Sequence, residues 1–416
     1  MTTTAALHEA PGALVFPITM TLVSPVCLAA GVPVGNLTRT LRYIRGSTVR
    51  GMLAQFYLER VGAADDTFTQ LFLSGEVTYS NLYFSTPRDR AAPLPLSARS
   101  CKYASGFLTD EDKHGVVDTL LPTFTWQWAE GSSADPPVDR CNHCKAPLER
   151  FAGFYESLGG SRRTGPIEGL SRMITRSATD DVLQTAEPGL LYTLEVLDPT
   201  TRAGYLPAGG LVTCATREAA ALVRQHVLQP AFEAAQTSFF IGTARSRGLG
   251  EIVTPGQPLI PFDPATASPS IVERLHAFNA AITALGVNDN RTYFSLTLYA
   301  DAIIQDEFCR CHSTIPSALL AWEMGVEAHH LQLETCFTET HVVTGWNAAL
   351  RAPKTDALAI RMGATFLYTA TGIAEQTLLD QLLAIETRGL GARRTEGFGR
   401  VKVCDPFHVE ARKEPI

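Results

Sequence analysis

Apolar positions fall into two blocks of strand-like and helix-like periodicity, separated by stretches with no period. In the first block, "ALVFPITMTLVSPVCL" reads as a strand, from its β-branched content and its flanking Pro and Gly. "YIRGSTVRGMLAQFYLERVG" reads as a helix. Ser47 is its expected N-cap, and Val49, Leu53, Phe56, Tyr57 and Arg60 follow helical spacing. "VTYSNLYFS", "LLYTLEVL" and "GGLVTCAT" read as strands, and "REAAALVRQHVLQPAFEAAQ" as a helix. Residues 87–165 are rich in Pro, Gly, Cys and charge, and read as an insertion. A Pro- and Ser-rich linker is expected over 254–285. The second block holds the strand "RTYFSLTLYADAII", two strands within "HVVTGWNAALRAPKTDALAIRMGATFLYTA", the amphipathic helix "AEQTLLDQLLAIET" and a last strand, "GRVKVCDP". Neither block alternates βαβα, which favours an α+β fold with antiparallel sheets.

Each block ends on a similar loop. "IGTARSRGLGEIV" (Ile241 to Val253) aligns without gaps on "LGARRTEGFGRV" (Leu390 to Val401), sharing G-x-x-R-[ST]-x-G-[LF]-G-x-[IV]. Gly242 falls on Gly391, Arg245 on Arg394, Gly248 on Gly397 and Gly250 on Gly399. This pattern predicts an internal duplication, with domains at 1–253 and 286–416. Glycines permit positive φ and close approach of main-chain N–H groups to a ligand. Arg245, Arg247, Arg393, Arg394 and Arg400 add forks matched to phosphate. The start of the first helix follows the same logic: Gly46, Ser47 and Thr48 offer N–H groups to an anion, flanked by Arg45 and Arg50. Arg162 and Arg163 in "GGSRRTG", and Arg172 in "SRMITRS", extend the basic set. Neither a P-loop nor a dinucleotide fingerprint is present. A nucleic-acid backbone, with repeated phosphates, suits repeated donors better.

The 416 residues carry a formal charge of −7. That excludes a uniformly basic surface and leaves the loops as local exceptions. The N-terminus lacks a basic region followed by an apolar run, and no apolar run is long enough to span a bilayer. The expectation is a cytoplasmic protein with no membrane partner. Its nine cysteines then serve as metal ligands or core residues rather than disulfides. Cys141 and Cys144 form C-x-x-C, and Cys101 and His114 lie in the same insertion. Together they would hold a structural Zn²⁺, with His143 as the rival to His114. "CRCH" (Cys309 to His312) and the pair His329–His330 are read as structural.

The I-x-G-S-x-x-R-G helix start, paired with a terminal glycine-rich loop, resembles the RAMP superfamily of CRISPR-associated proteins. "SCKYASGF", "HGVVDTLL", "CNHCKAPLERFAGFY" and "GWNAALRAPKTDALAIRMGATFLY" look like landmarks of the large two-domain RAMP subunit of type III-D effector complexes. The resemblance implies two tandem ferredoxin-like (RRM-like) domains, the first carrying the zinc-binding insertion. It implies a group-five subunit that binds the 5′ handle of the crRNA and meets target RNA indirectly. Its protein partners would be the large polymerase-like subunit and the backbone RAMP subunits. Backbone relatives cleave RNA with an aspartate between the first strand and the I-x-G-S helix. Here that interval, "SPVCLAAGVPVGNLTRTLRYIRGS", holds no acid, so no catalytic residue is expected. The alternatives are an endoribonuclease that matures crRNA and a backbone subunit on the guide–target duplex. Asp118, Asp180, Asp181 and Asp301 are read as solvated or structural acids. Phe107, Tyr155 and Phe398 are candidates for base stacking, with Phe398 favoured as core because it matches Leu249.

Overall fold

The structure, a computed structural model, describes residues 12–31, 35–85, 91–129, 137–158, 161–165, 170–179, 186–199, 206–347, 350–411 and 415–416. Asp180, Asp181 and the N-terminal stretch lie outside the described residues. The chain is mixed α+β, and its sheets are overwhelmingly antiparallel. No helix among the described residues is long and apolar enough to cross a membrane.

Half one runs β1 (Leu14–Leu22), α1 (Gly46–Val61), β2 (Val77–Tyr79), β3 (Leu82–Phe84), β4 (Leu206–Cys214), α2 (Arg217–Val223) and β5 (Glu251–Val253). Alternation in β1 sends Phe16, Ile18, Met20 and Leu22 into the core, and Leu14 to Leu22 pair in register with Cys214 to Leu206. In space the strands lie β5-β1-β4, with β2 and β3 both on the far side of β4. Half two runs β6 (Thr292–Leu298), α3 (Ser317–Met324), β7 (Leu331–Phe337), β8 (Thr365–Ala370), α4 (Glu375–Arg388) and β9 (Val401–Val403). Its order in space is β9-β6-β8-β7. With β2 and β3 counted as one interrupted strand, both halves repeat one β-α-β-β-α-β path with the first strand inside the sheet. Each has its own large apolar cluster.

Three departures from the sequence reading bear on the site. The segment "VTYSNLYFS" breaks into β2 and β3, because Ser80 and Asn81 turn aside: Ser80 Oγ accepts the Leu211 N–H at 2.7 Å, and Asn81 Oδ1 accepts the Gly46 N–H at 2.8 Å. Residues 271–283, expected as linker, form a helix (Ile271–Thr283). Ser270 and Glu273 close a capping box at its start, and Ile271, Leu275, Phe278 and Ile282 enter the core of half two. The insertion, joined to half one in sequence, is fastened to half two in space. Leu120, Leu121 and Phe124 of its helix (Leu120–Trp128) enter the second core, and Phe407 and Ala411 of the C-terminal helix enter the insertion's small cluster.

A buried polar chain locks that joint. His408 Nδ1 lies 2.9 Å from Asp118 Oδ2 and its Nε2 2.8 Å from Thr297 Oγ1, while Ser97 donates to Asp118. Burial lowers the pKa of His408, but the Asp118 carboxylate outweighs it, so the net shift is upward. A raised folded pKa gives stability that is complete below the unfolded value and is lost as pH rises through the folded one. Stability against urea should therefore fall as pH rises above the ordinary histidine range. His408→Gln should flatten that dependence; an unchanged slope in the variant would remove this residue as its source.

Candidate functional site

The two glycine loops follow the same main-chain path. Ala244 has φ 58° and ψ 31°, and its counterpart Arg393 has φ 57° and ψ 31°. Each then makes one 3₁₀ turn, Arg245–Arg247 or Arg394–Glu396, ended by a left-handed glycine, Gly248 or Gly397. Each lies against the segment that follows its half's first strand. Gly250 N–H donates to Pro25 O at 2.7 Å and Thr243 N–H to Cys27 O at 3.0 Å. In half two, Gly399 N–H donates to Asp301 O at 2.8 Å and Ala392 N–H to Ile303 O at 2.9 Å. A Cβ on Gly250 or Gly399 would collide with the carbonyl of Ile241 or Leu390, so glycine is required there. Leu249 and Phe398 are the matching apolar anchors, each packed against a hairpin: Ser171–Thr179 with Ala186–Leu197 in half one, Thr340–Val343 with Ala357–Ile360 in half two.

The loops differ in what surrounds them. The tip of the first, Arg245 to Gly248, is exposed. Arg245 reaches only the Phe240 carbonyl at 3.5 Å, and Arg247 lies over the Tyr192 ring and donates to its hydroxyl. Neither pairs with a carboxylate among the described residues. The second loop is tucked against the start of α1. Gly46 packs on Gly397 and Glu396, and Arg50 donates to Thr395 Oγ1 at 3.0 Å. Glu396, the one acid in this loop, takes Lys354 at 2.8 Å and Arg393 at 2.7 Å. Burial raises its pKa, but these cations outweigh burial and hold the carboxyl below its usual range. Arg394 lies 3.6 Å from Glu323, and Arg393 sits over the Phe398 ring at 4.7 Å.

The helix start is not the open anion cradle that the sequence suggested. The N-cap is Arg45, not Ser47; Ser47 and Thr48 lie in the first turn, and the Gly46 N–H is already held by Asn81. Arg45 partners Tyr43. The other basic positions are also engaged. Arg162 is 8% exposed, lies over Tyr155 and Phe407, and pairs with Glu410. Arg163 pairs with Glu156 at 3.0 Å, and half-exposed Arg172 with Asp198. Phe107, Tyr155 and Phe398 are all buried, so none can stack on a base from this position. Asp118 belongs to the His408 chain. Asp301 accepts the Met362 N–H at 2.8 Å and lies 3.4 Å from both His341 Nε2 and the Tyr43 hydroxyl. Half two thus carries an acid in the interval that lacks one in half one. Sequence reading missed Arg388, Lys354 and Lys402 beside the second loop; Arg388 is the last residue of α4 and was absorbed by the helix pattern.

The cysteine cluster assembles as four donors. Cys101 ends the strand Ala98–Cys101. That strand pairs with Val116–Asp118, just after His114, and with Leu148–Arg150, just after the C-x-x-C turn. Cys101 Sγ lies 3.4 Å from Cys144 Sγ, and Cys141 Sγ lies 3.4 Å from His114 Nδ1. All four donor atoms lie within 4.8 Å of one another. Three thiols and an imidazole at this spacing fit a tetrahedral Zn²⁺. His114 is the fourth donor; His143 stacks beside it, ring centroids 4.3 Å apart, outside the set. Burial raises the Cys101 thiol, but the N–H groups of Ala104 and Tyr103 outweigh it and bring it down to about 6. Cys309 and Cys311 join no such group among the described residues.

No family model matches the chain, and no curated protein matches it. Among solved structures, it is similar to a chain of the type III-B Cmr-beta complex bound to cognate target RNA and AMPPnP. The TM-score is 0.42 at 12% identity, over 85% of this chain and 86% of that one. It is also similar to a Cas6 of Thermus thermophilus, with TM-score 0.34 at 8% identity over 94% and 99% of the two chains. For the crystal structure of Cmr4 the TM-score is 0.25 at 11% identity, over 58% and 98%. Similarity of this degree fixes neither a fold family nor a role for the chain.

Proposed function

We propose that the chain is an RNA-binding RAMP protein of a CRISPR type III effector complex, built from two ferredoxin-like domains. It holds the 5′ handle of the crRNA, meets target RNA only through that guide, and contacts the large polymerase-like and backbone subunits. It binds RNA without cutting it. The observation that carries this reading is the twin loop: two bends of one main-chain path, each with arginine at its tip, in an otherwise acidic protein. The first loop supports it most, because Arg245 and Arg247 are exposed and face no carboxylate among the described residues. The repeated β-α-β-β-α-β order supports the domain assignment, and the missing acid before α1 supports the non-catalytic role. A structural Zn²⁺ in the Cys₃His cluster braces the insertion.

The test is RNA retention and its salt dependence. Replacing Arg245 and Arg247 together with alanine should make the slope of log K against log salt shallower by about 1.4, at about 0.7 per single-strand phosphate. Replacing Arg393 and Arg394 should cost less, since Glu396 and Glu323 already hold them. Unchanged affinity and slope in both variants would refute the placement.

A further inference from the structure

The halves face each other across a cleft of about 390 Å³, with the second glycine loop on its rim. That volume lies in the range that takes a small ligand. Half one lines it with Val15, Leu211 and Phe262 set among the hydroxyls of Thr78, Ser80, Thr213 and Ser268, and half two lines it with Arg388, Arg394, Arg400 and Lys402. Glu386, the carboxylate on the wall, is occupied by Arg274 at 2.9 Å and Lys402 at 2.9 Å. Arg388 and Arg394 lean on Glu323. The Arg400 guanidinium makes no hydrogen bond or ion pair among the described residues. Its backbone is fixed, because its carbonyl accepts the Tyr299 N–H at 2.7 Å. The Nε of Arg388 is buried without a hydrogen-bond partner.

We propose that this cleft binds a nucleoside phosphate, with the base against the mixed apolar and hydroxyl wall of half one and the phosphate on Arg400, Arg394 and Arg388. An inorganic anion would leave the wall of half one unused. A purely apolar ligand would bury the guanidinium of Arg400 without a partner, at a large cost. The ligand has two sources: a free nucleotide, or one unpaired nucleotide of a bound RNA strand. Only the second rests on the RNA reading above.

Isothermal titration calorimetry of the full chain separates them, using AMP, the 5′-phosphorylated dinucleotide pApA and sodium phosphate. Arg400→Ala removes charge. Thr213→Trp and Thr387→Trp, from opposite walls, fill the cleft and keep every cation. Binding of AMP, weakened about tenfold or more in Arg400→Ala and in a tryptophan variant that melts like the parent, supports the free-nucleotide source. Binding of pApA alone, lost in the same way, supports the strand source. Equal binding in parent and variants, no binding of AMP or pApA, or phosphate binding as tightly as AMP overturns the proposal. RNA affinity that falls on removal of Arg245 and Arg247 but survives a filled cleft, in a chain that binds no AMP or pApA, leaves the RNA reading standing and this inference refuted. AMP binding with no RNA affinity leaves the cleft assignment standing and the RNA reading refuted.

Discussion

Gly46→Ala should destabilise the protein by about 3–4 kcal/mol, although alanine is the better helix former by about 1 kcal/mol. The reason is that the start of α1 is wedged between β2 of its own half and the second loop. A Cβ on Gly46 would overlap the Tyr79 carbonyl oxygen and lie 2.7 Å from Glu396 O and 2.9 Å from Gly397 Cα. These are main-chain atoms, so none can swing away as a flexible side chain would. Relief requires moving the loop of half two off the helix of half one, which breaks the Arg50 to Thr395 contact and disturbs the Glu396 hub. Gly51 is the internal control. It lies in the same helix, is exposed, and has nothing within 4 Å of an added Cβ. Gly51→Ala should stabilise by about 1 kcal/mol. Urea denaturation of both variants checks the pair; a Gly46→Ala protein as stable as the parent would mean that the start of α1 is not packed against β2 and the loop as described.

Loss of zinc should be the most disruptive change to the insertion. Structural Zn²⁺ in small domains supplies on the order of 10–16 kcal/mol of apparent folding free energy. Around the cysteines the insertion has little else, since the apolar cluster there is only Cys101, Cys141 and Ala146 with Ala104 and Leu148 against it. The purified chain should carry about one Zn²⁺. Cys101→Ser and Cys141→Ser, which remove buried thiols, should abolish zinc content and open residues 98–118 and 139–150 to proteolysis. Cys144 is exposed, so Cys144→Ser should weaken zinc retention with a smaller effect on the fold. His143→Ala should leave the metal in place, whereas His114→Ala should not. Zinc-free parent protein, or equal protease resistance in Cys101→Ser, would contradict the assignment.

The loops were legible because their glycines answer to local backbone demands. The same left-handed turn and the same pressing carbonyl recur in each half, so the same residues recur in the sequence. The metal ligands were legible by elimination within a region that lacked any other core. The choice of His114 over His143 agrees with the cluster, and the pairing of Val116–Asp118 with Ala98–Cys101 is what brings His114 to the thiols. The helix at 271–283 announced itself in the Ser270–Glu273 capping box, but a Pro- and Ser-rich approach concealed it. Contacts across long sequence distances were hidden altogether. Nothing near Gly46 shows that Gly397 will lie on it, and nothing in "RRTEGFG" shows that Glu396 will gather Lys354 and Arg393. For the same reason Arg162 reads as surface charge in its own segment, yet is buried by Phe407 from the other end of the chain.

The most direct measurement is filter binding of the intact chain to a single-stranded RNA of handle length, titrated between about 50 and about 200 mM salt. The account predicts affinity that falls with salt, with a slope shallower by between about 1.4 and about 2.8 when Arg245, Arg247, Arg393 and Arg394 are all replaced with alanine. Parent and quadruple variant binding this RNA equally, with equal slopes, would contradict it.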